Sequence, residues 1–318
     1  MQADSARLRD IIVELDTLTT ESIISDREDL DALPTRDLVA AMNADDLRVP
    51  QAIAESPDDI ARAVDAIVER MRRGGRLIYV GAGTAGRIGI LDASECPPTF
   101  GTPPELVVGL IAGGPTAIHT AVEGAEDDPK GAADDFERLG LGADDVVVGI
   151  SASGRTLYVC GALEMAHARG ALTIALAANA NSAIGRIADI AIETVVGPEF
   201  ISGSTRLKSG TAQKLVVNML STLTMIKLGK TYRGVMVDLQ ATNDKLRARS
   251  IRTVALVADC DYAKAEAALD AVGGSVKRAI LTVMTGIDPA RTTTSLEEAG
   301  GLLRVAIEKN TPAVAGDR

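Results

Sequence analysis

The 318-residue sequence contains no tryptophan, and aromatic residues make up only 2% of it. That excludes base-stacking platforms and aromatic sugar clefts, and it leaves an aliphatic core as the only option. Histidine is almost as scarce, with only His119 and His167. The three cysteines, Cys96, Cys160 and Cys260, are far apart and lack C-x-x-C spacing. Neither a disulfide framework nor a metal site is therefore indicated, and the compartment is expected to be reducing. Basic residues are outnumbered, 33 against 44 acidic ones, for a net charge of -11. A nucleic-acid footprint needs a basic face, so nucleic acid is excluded as a partner, and any anionic ligand must be held by local dipoles and a few cations. No run approaches the ~18 apolar residues of a membrane span, and the first twenty residues lack an apolar leader core. No membrane partner is expected, and the cytoplasm is the expected location.

What the chain does have is concentrated in the run RLIYVGAGTAGRIGILDASECPP at 76–98. Residues 76–80 are β-branched and aromatic and follow a Gly74-Gly75 break, which predicts a buried parallel strand. The strand stops on Gly81, Gly83 and Gly86, with Thr84 where a helix would begin, so N–H groups and a hydroxyl can converge on an anion. A dinucleotide fingerprint, another phosphate ligand and a plain tight turn all fit this spacing equally well.

Upstream, Ser56-Pro57-Asp58-Asp59 reads as a helix start with a capping serine, and Ile60, Val64, Ile67, Val68 and Met71 then share one helical face. Downstream, strand patterns at 106–111, 146–150, 172–176 and 190–196 alternate with helical patterns, notably 157–168 and 211–228. That alternation predicts a parallel sheet with crossover helices. Beyond Asn243, Ala-rich helical text at 262–272, 276–284 and 302–307 predicts an appended bundle. The expected organisation is a helical arm over 1–54, a sheet domain over 55–242 and a helical bundle over 243–318, an α/β fold in three layers.

Ligands in such sheets bind beyond the carboxyl ends of the strands, so the loops after strands carry the interest. After 146–150 comes Ser151-Ala-Ser153-Gly-Arg-Thr156, where three hydroxyls precede a helix; a single cap needs only one. A third polar loop, at 202–211, holds Ser204, Arg206 and Lys208, and its lysine and arginine are the local cations an acidic protein would need around an anion. A solvated linker explains that loop as well. His119 and His167 read as surface residues. Glu95 and Glu126 look like ordinary glutamates on composition alone.

Several motifs together resemble one family. They are the run at 76–98, VVGLIAGG at 107–114, AVEGAED at 121–127, VVVGISASGRT at 146–156, GSTRLKSGTAQK at 203–214, NMLST at 218–222 and MVDLQATNDK at 236–245. In register over about 35–250, they resemble the N-acetylmuramic acid 6-phosphate etherases, a family to which the glucokinase regulatory protein is related. The resemblance implies a sugar-isomerase (SIS), flavodoxin-like domain and a homodimer acting on a small sugar phosphate in cell-wall recycling, with no cofactor or metal. It also implies catalytic roles for Glu95, in DASECPP, and Glu126, in EGAED. Substrate would then be held by Gly83, Thr84, Ser151, Ser153, Thr156, Ser204 and Lys208. The implied reaction splits the lactyl ether to N-acetylglucosamine 6-phosphate and D-lactate, with Glu95 the acid and Glu126 the base. The family's LTTE opening is present at 18–21, but the asparagine expected within 22–25 is absent. A sugar-phosphate isomerase and a non-catalytic regulator are the rival readings; a regulator has no need of both glutamates.

Overall fold

The computed structural model describes residues 12–13, 15–23, 29–238 and 243–311. Two stretches noted in the sequence, 24–25 of the arm and 239–242 of the last motif, lie outside the described residues. In chain order the helices and strands are α1 (Thr35–Asp46), α2 (Arg48–Ala54), α3 (Pro57–Arg72), β1 (Leu77–Gly81), α4 (Gly83–Phe100), β2 (Val107–Ile111), α5 (Thr116–His119), α6 (Ala133–Leu139) and β3 (Val146–Ile150). They continue with α7 (Leu157–Ala168), β4 (Leu172–Ala177), α8 (Ala183–Ile187), β5 (Ile190–Glu193) and α9 (Lys208–Lys227). A hairpin of β6 (Thr231–Tyr232) and β7 (Val235–Met236) precedes α10 (Asp244–Ala258), α11 (Tyr262–Ala271), α12 (Val276–Thr285), α13 (Thr292–Glu298) and α14 (Leu303–Asn310). The chain divides into two compact units, Met1–Ser94 with Glu105–Ser221, and Glu95–Pro104 with Thr222–Arg318.

The first unit is built on a five-stranded sheet in the order β2-β1-β3-β4-β5, parallel throughout. This is the flavodoxin-like order, whose switch point falls between β1 and β3. Every residue of β1 and β3 is buried, as it must be when helices cover both faces. The side chains alternate accordingly. Ile78 and Val80 join Val147, Ala175 and Ala177 in a core with Phe136 of α6 and Tyr158, Val159 and Leu163 of α7. Tyr79 points to the other face, where its hydroxyl meets Asp92 of α4 at 2.8 Å and the carbonyl of Val217 of α9 at 3.3 Å. Asp92, 5% exposed, also accepts from Asn218 and Ser221 of α9, so two of the sequence motifs meet in one buried polar knot.

Sheet entry is pinned by Arg76 and Asp145, each just ahead of its strand. The guanidinium donates to both carboxylate oxygens, at 2.9 and 2.7 Å, and the backbone N–H of Arg76 adds a third bond at 3.0 Å. A second buried ion pair ties α1 to α9, where Lys208 Nζ lies 2.9 Å from both oxygens of Asp45.

Some expected boundaries shift for physical reasons. Ser56 makes no side-chain cap bond; its carbonyl closes the first turn of α3 instead. α4 runs past Pro97 and Pro98 to Phe100, although neither proline can return an N–H to the carbonyls of Ala93 and Ser94. α9 begins at Lys208 rather than Thr211, because Glu199 caps it from nine residues upstream: its two carboxylate oxygens accept from Lys208 N and Ser209 N at 2.9 Å each.

The second unit gathers an aliphatic cluster from α10 to α14 and the hairpin, including Val254, Leu269, Ile280, Leu281 and Leu303. Asn243 caps α10 by accepting from Leu246 N at 2.9 Å. α10 and α13 are additions to the three bundle helices that the sequence pattern singles out. No helix among the described residues is long and apolar enough to cross a membrane.

Candidate active site

At the β1/β3 switch point two loops leave the carboxyl ends of neighbouring strands. The first turns from β1 into α4. Gly86 lets α4 start hard against the sheet: a Cβ there would stand 2.5 Å from Ile111 and 2.7 Å from the carbonyl of Gly81. The second leads from β3 into α7 through Ser151, Ser153 and Thr156. Gly154, with φ +72°, presses against Ser182, and an added Cβ would meet the serine's own at 2.3 Å.

This second loop is more than a helix cap. Thr156 occupies the cap position of α7 but makes no side-chain cap bond; its hydroxyl turns instead to Ser151 Oγ at 2.8 Å. Ser151 Oγ also lies 3.4 Å from Ser153 Oγ and accepts from Gly154 N at 3.1 Å. Three hydroxyls thus gather at a helix N-terminus whose first N–H groups have no side-chain partner, which is the arrangement that suits a phosphate.

A cavity of about 240 Å³ opens on this cluster. Of the residues singled out in the sequence, Gly83, Thr84, Glu126, Ser151, Ser153 and Thr156 line it together. Glu126 reaches it from the 3-10 turn Ala125–Asp127 that follows Gly124, and its side chain is exposed. Ser204 is half-buried and is not among the residues lining this cavity, although its neighbours Gly203 and Thr205 are. Lys208 is 0% exposed and committed to Asp45, so it does not present a free ammonium to ligand. Glu199 already occupies the α9 terminus. Arg206 is exposed. Glu95 lies on the fourth turn of α4, exposed, in the second unit. His119 is exposed at the end of α5, and exposed His167 lies 3.5 Å from Asp189. Among the described residues no three His, Cys, Asp or Glu side chains are grouped to hold a metal ion.

Two wall residues escape a reading of the sequence. Glu21 closes the LTTE run and lines the cavity because the arm is fastened across it. Asn179 Oδ1 accepts from Thr19 N at 2.8 Å, its Nδ2 donates to Thr20 Oγ1 at 3.1 Å, and Gly203 N donates to the carbonyl of Thr20 at 3.2 Å. Gln213, on the second turn of α9, is 2% exposed, and its Nε2 is buried without a hydrogen-bond partner. A buried amide left unpaired costs about 1–3 kcal/mol, so such a group in a cavity wall is a candidate for contact with ligand. Gln213 lies in the GTAQK run, but its burial is not visible from spacing in a helix that is apolar on several sides.

Residues 59–167 match the glucokinase regulatory protein N-terminal SIS domain, and residues 129–223 match the SIS domain. The N-acetylmuramic acid 6-phosphate etherase of Streptomyces avermitilis is 57% identical over 299 residues, spanning 94% of this chain and 96% of that protein. The protein of the same name from Rhizobium rhizogenes is 51% identical over 301 residues, 95% of this chain and 98% of its own. A solved phosphoheptose isomerase from Francisella tularensis aligns over 61% of this chain and 100% of that one, with a TM-score of 0.49 and 22% identity. Sharing more than half its residues with etherases over nearly its full length, and carrying the SIS sheet with its switch-point loops, the chain belongs to the N-acetylmuramic acid 6-phosphate etherase family.

Proposed function

We propose that the chain cleaves the lactyl ether of N-acetylmuramic acid 6-phosphate, giving N-acetylglucosamine 6-phosphate and D-lactate in cell-wall sugar recycling. The observation that carries this reading is the hydroxyl cluster of Ser151, Ser153 and Thr156 at the uncapped start of α7, which shares one cavity with the Glu126 carboxylate. The cluster seats the 6-phosphate, and the glutamate stands within the same enclosure as the sugar carbons.

In the open-chain sugar the C1 aldehyde acidifies the C2 proton. Glu126 removes that proton, the electron pair moves into a C2–C3 double bond, and the C3–oxygen bond breaks. Glu95 protonates the departing lactyl oxygen. Water then adds across the double bond, its hydroxyl to C3 and a proton to C2. The two carboxyls must hold different protonation states at the start, so each needs its own environment. Glu95 and Glu126 are both exposed in the single chain, and a homodimer in which a second copy covers them supplies such surroundings. The same reading assigns the protein to the cytoplasm.

Incubating the purified protein with N-acetylmuramic acid 6-phosphate and following products by mass spectrometry tests this directly. D-lactate and N-acetylglucosamine 6-phosphate are expected in equal amounts. An isomerised sugar phosphate with no lactate would replace the etherase reading with an isomerase, and unchanged substrate would replace it with a binding protein.

A further inference from the structure

Beside the hydroxyl-lined cavity lies a second one of about 190 Å³, which shares Ala82, Gly83 and Glu126 with the first. It has none of the hydroxyls of Ser151, Ser153 and Thr156. Ala112, Ala117, Ala121, Val122 and Ala125 give it a wall of small apolar side chains, Glu123 and Glu126 line it as well, and a single cation, Arg87, enters it. Arg87 follows Gly83 by four residues on α4, so the two lie on one helix face a turn apart.

That guanidinium is fixed but not neutralised. Its Nε donates to the carbonyl of Ile118 at 2.9 Å and its Nη2 to the carbonyl of Ala117 at 2.8 Å. Those two bonds leave three of its five N–H donors free and set the plane of the fork. Glu123 and Glu126 also line this space, yet neither forms an ion pair with Arg87. In a chain of net charge -11, with Lys208 taken up by Asp45, a pre-oriented guanidinium without a carboxylate partner is conspicuous.

We infer that this second cavity receives the lactyl group of the substrate. Arg87 binds the lactyl carboxylate, and the alanine wall takes its methyl. The inference rests on the etherase reading above and deepens it. The substrate carries two anions, a phosphate on C6 and a carboxylate on the C3 substituent, and the protein offers two unlike cavities, one of hydroxyls and one with a guanidinium. Glu126, common to both, stands where C2 and C3 must lie if each anion occupies its own cavity. A sugar phosphate without the lactyl arm would fill the first and leave the second empty. Arg87 is thus a specificity residue for the leaving group, and the same fork holds D-lactate as it departs.

The test compares wild type, Arg87→Met and Ala121→Leu by steady-state kinetics. The probes are N-acetylmuramic acid 6-phosphate, the same compound with its lactyl carboxyl converted to a methyl ester, and N-acetylglucosamine 6-phosphate as a competitive inhibitor. Arg87→Met should raise KM for the acid roughly tenfold or more, as loss of a hydrogen bond to a charged group does, while the inhibition constant for N-acetylglucosamine 6-phosphate stays put. Wild type should lose a similar factor on the ester, and Arg87→Met should not lose it a second time. Ala121→Leu, at an exposed position, should raise KM by filling the cavity, again without moving the inhibition constant. Equal weakening of substrate and inhibitor in both variants, or no weakening in either, would overturn the inference. Should Arg87→Met fail to fold, the ester on wild type and the Ala121→Leu result decide it. A wild type that releases no D-lactate removes the etherase reading and this inference with it; an active wild type whose variants behave alike on all three probes removes only the second cavity.

Discussion

Glutamine in place of Glu95 or Glu126, the proposed acid and base, keeps size and polarity but cannot pass a proton. Each substitution should slow lactate release by about 10²–10⁴-fold. Their failures should differ: Glu95→Gln should still exchange the C2 hydrogen with deuterated water, whereas Glu126→Gln should show little exchange. Proton NMR reads this directly, and the reverse pattern would swap acid and base. Gln213 gives a prediction of opposite signs. Its Nε2 is buried and unpartnered, so Gln213→Leu removes a polar group that the fold does not satisfy. Thermal unfolding should show the variant at least as stable as wild type, by about 1 kcal/mol, while KM rises. A destabilised variant with normal KM would make Gln213 a structural residue. The contrast shows what a sequence makes legible. The clustering of hydroxyls at 151, 153 and 156 is readable because their number exceeds what a cap requires; the pairing of Lys208 is not, because its partner, Asp45, lies 163 residues away.

At the scale of elements, two buried aspartates answer pH in opposite directions. Burial alone would raise the Asp145 carboxyl, but the Arg76 side chain, the backbone N–H of Gly142 and that of Arg76 outweigh it and hold the group below its usual range. The stability this contributes is complete above the ordinary aspartate value of about 4 and is lost as pH falls below it. Arg76→Met leaves the carboxylate buried without its cation and should cost about 3 kcal/mol at neutral pH, a deficit that shrinks on acidification. Denaturant midpoints at neutral pH and near pH 3 check it. Asp92 runs the other way: burial raises it, only partly offset by hydrogen bonds from Tyr79, Asn218 and Ser221. The folded state then holds a proton that the unfolded chain has shed, so stability falls as pH rises from about 4 through the raised value. Asp92→Asn has no such titration, and its stability relative to wild type should improve over that window; a difference flat in pH would refute the assignment. Strand 146–150 and helix 157–168 are legible in the sequence to the residue, since an apolar run bounded by glycine and polar loops has one reading. The start of α9 was not, because its cap comes from Glu199, a contact made only by the folded chain.

For the whole molecule, light scattering at micromolar concentration should give twice the 33.0 kDa chain mass. A monomer would remove the covered surroundings proposed for Glu95 and Glu126. The sheet order has a further consequence, in time rather than space. β1 pairs with β3 at Leu77 and Val146, 146 − 77 = 69 residues apart, and with β2 on its other side. At the usual ~5–20 residues per second of synthesis, β1 therefore waits roughly 3–14 s after emerging before its central partner exists. During that interval a buried strand is open along both edges until β2 is made and along one edge thereafter, and Arg76 is without Asp145. The nascent chain is thus most vulnerable to mispairing between the appearance of Gly81 and that of Ile150, a stretch that includes the first switch-point loop and ends where the second begins.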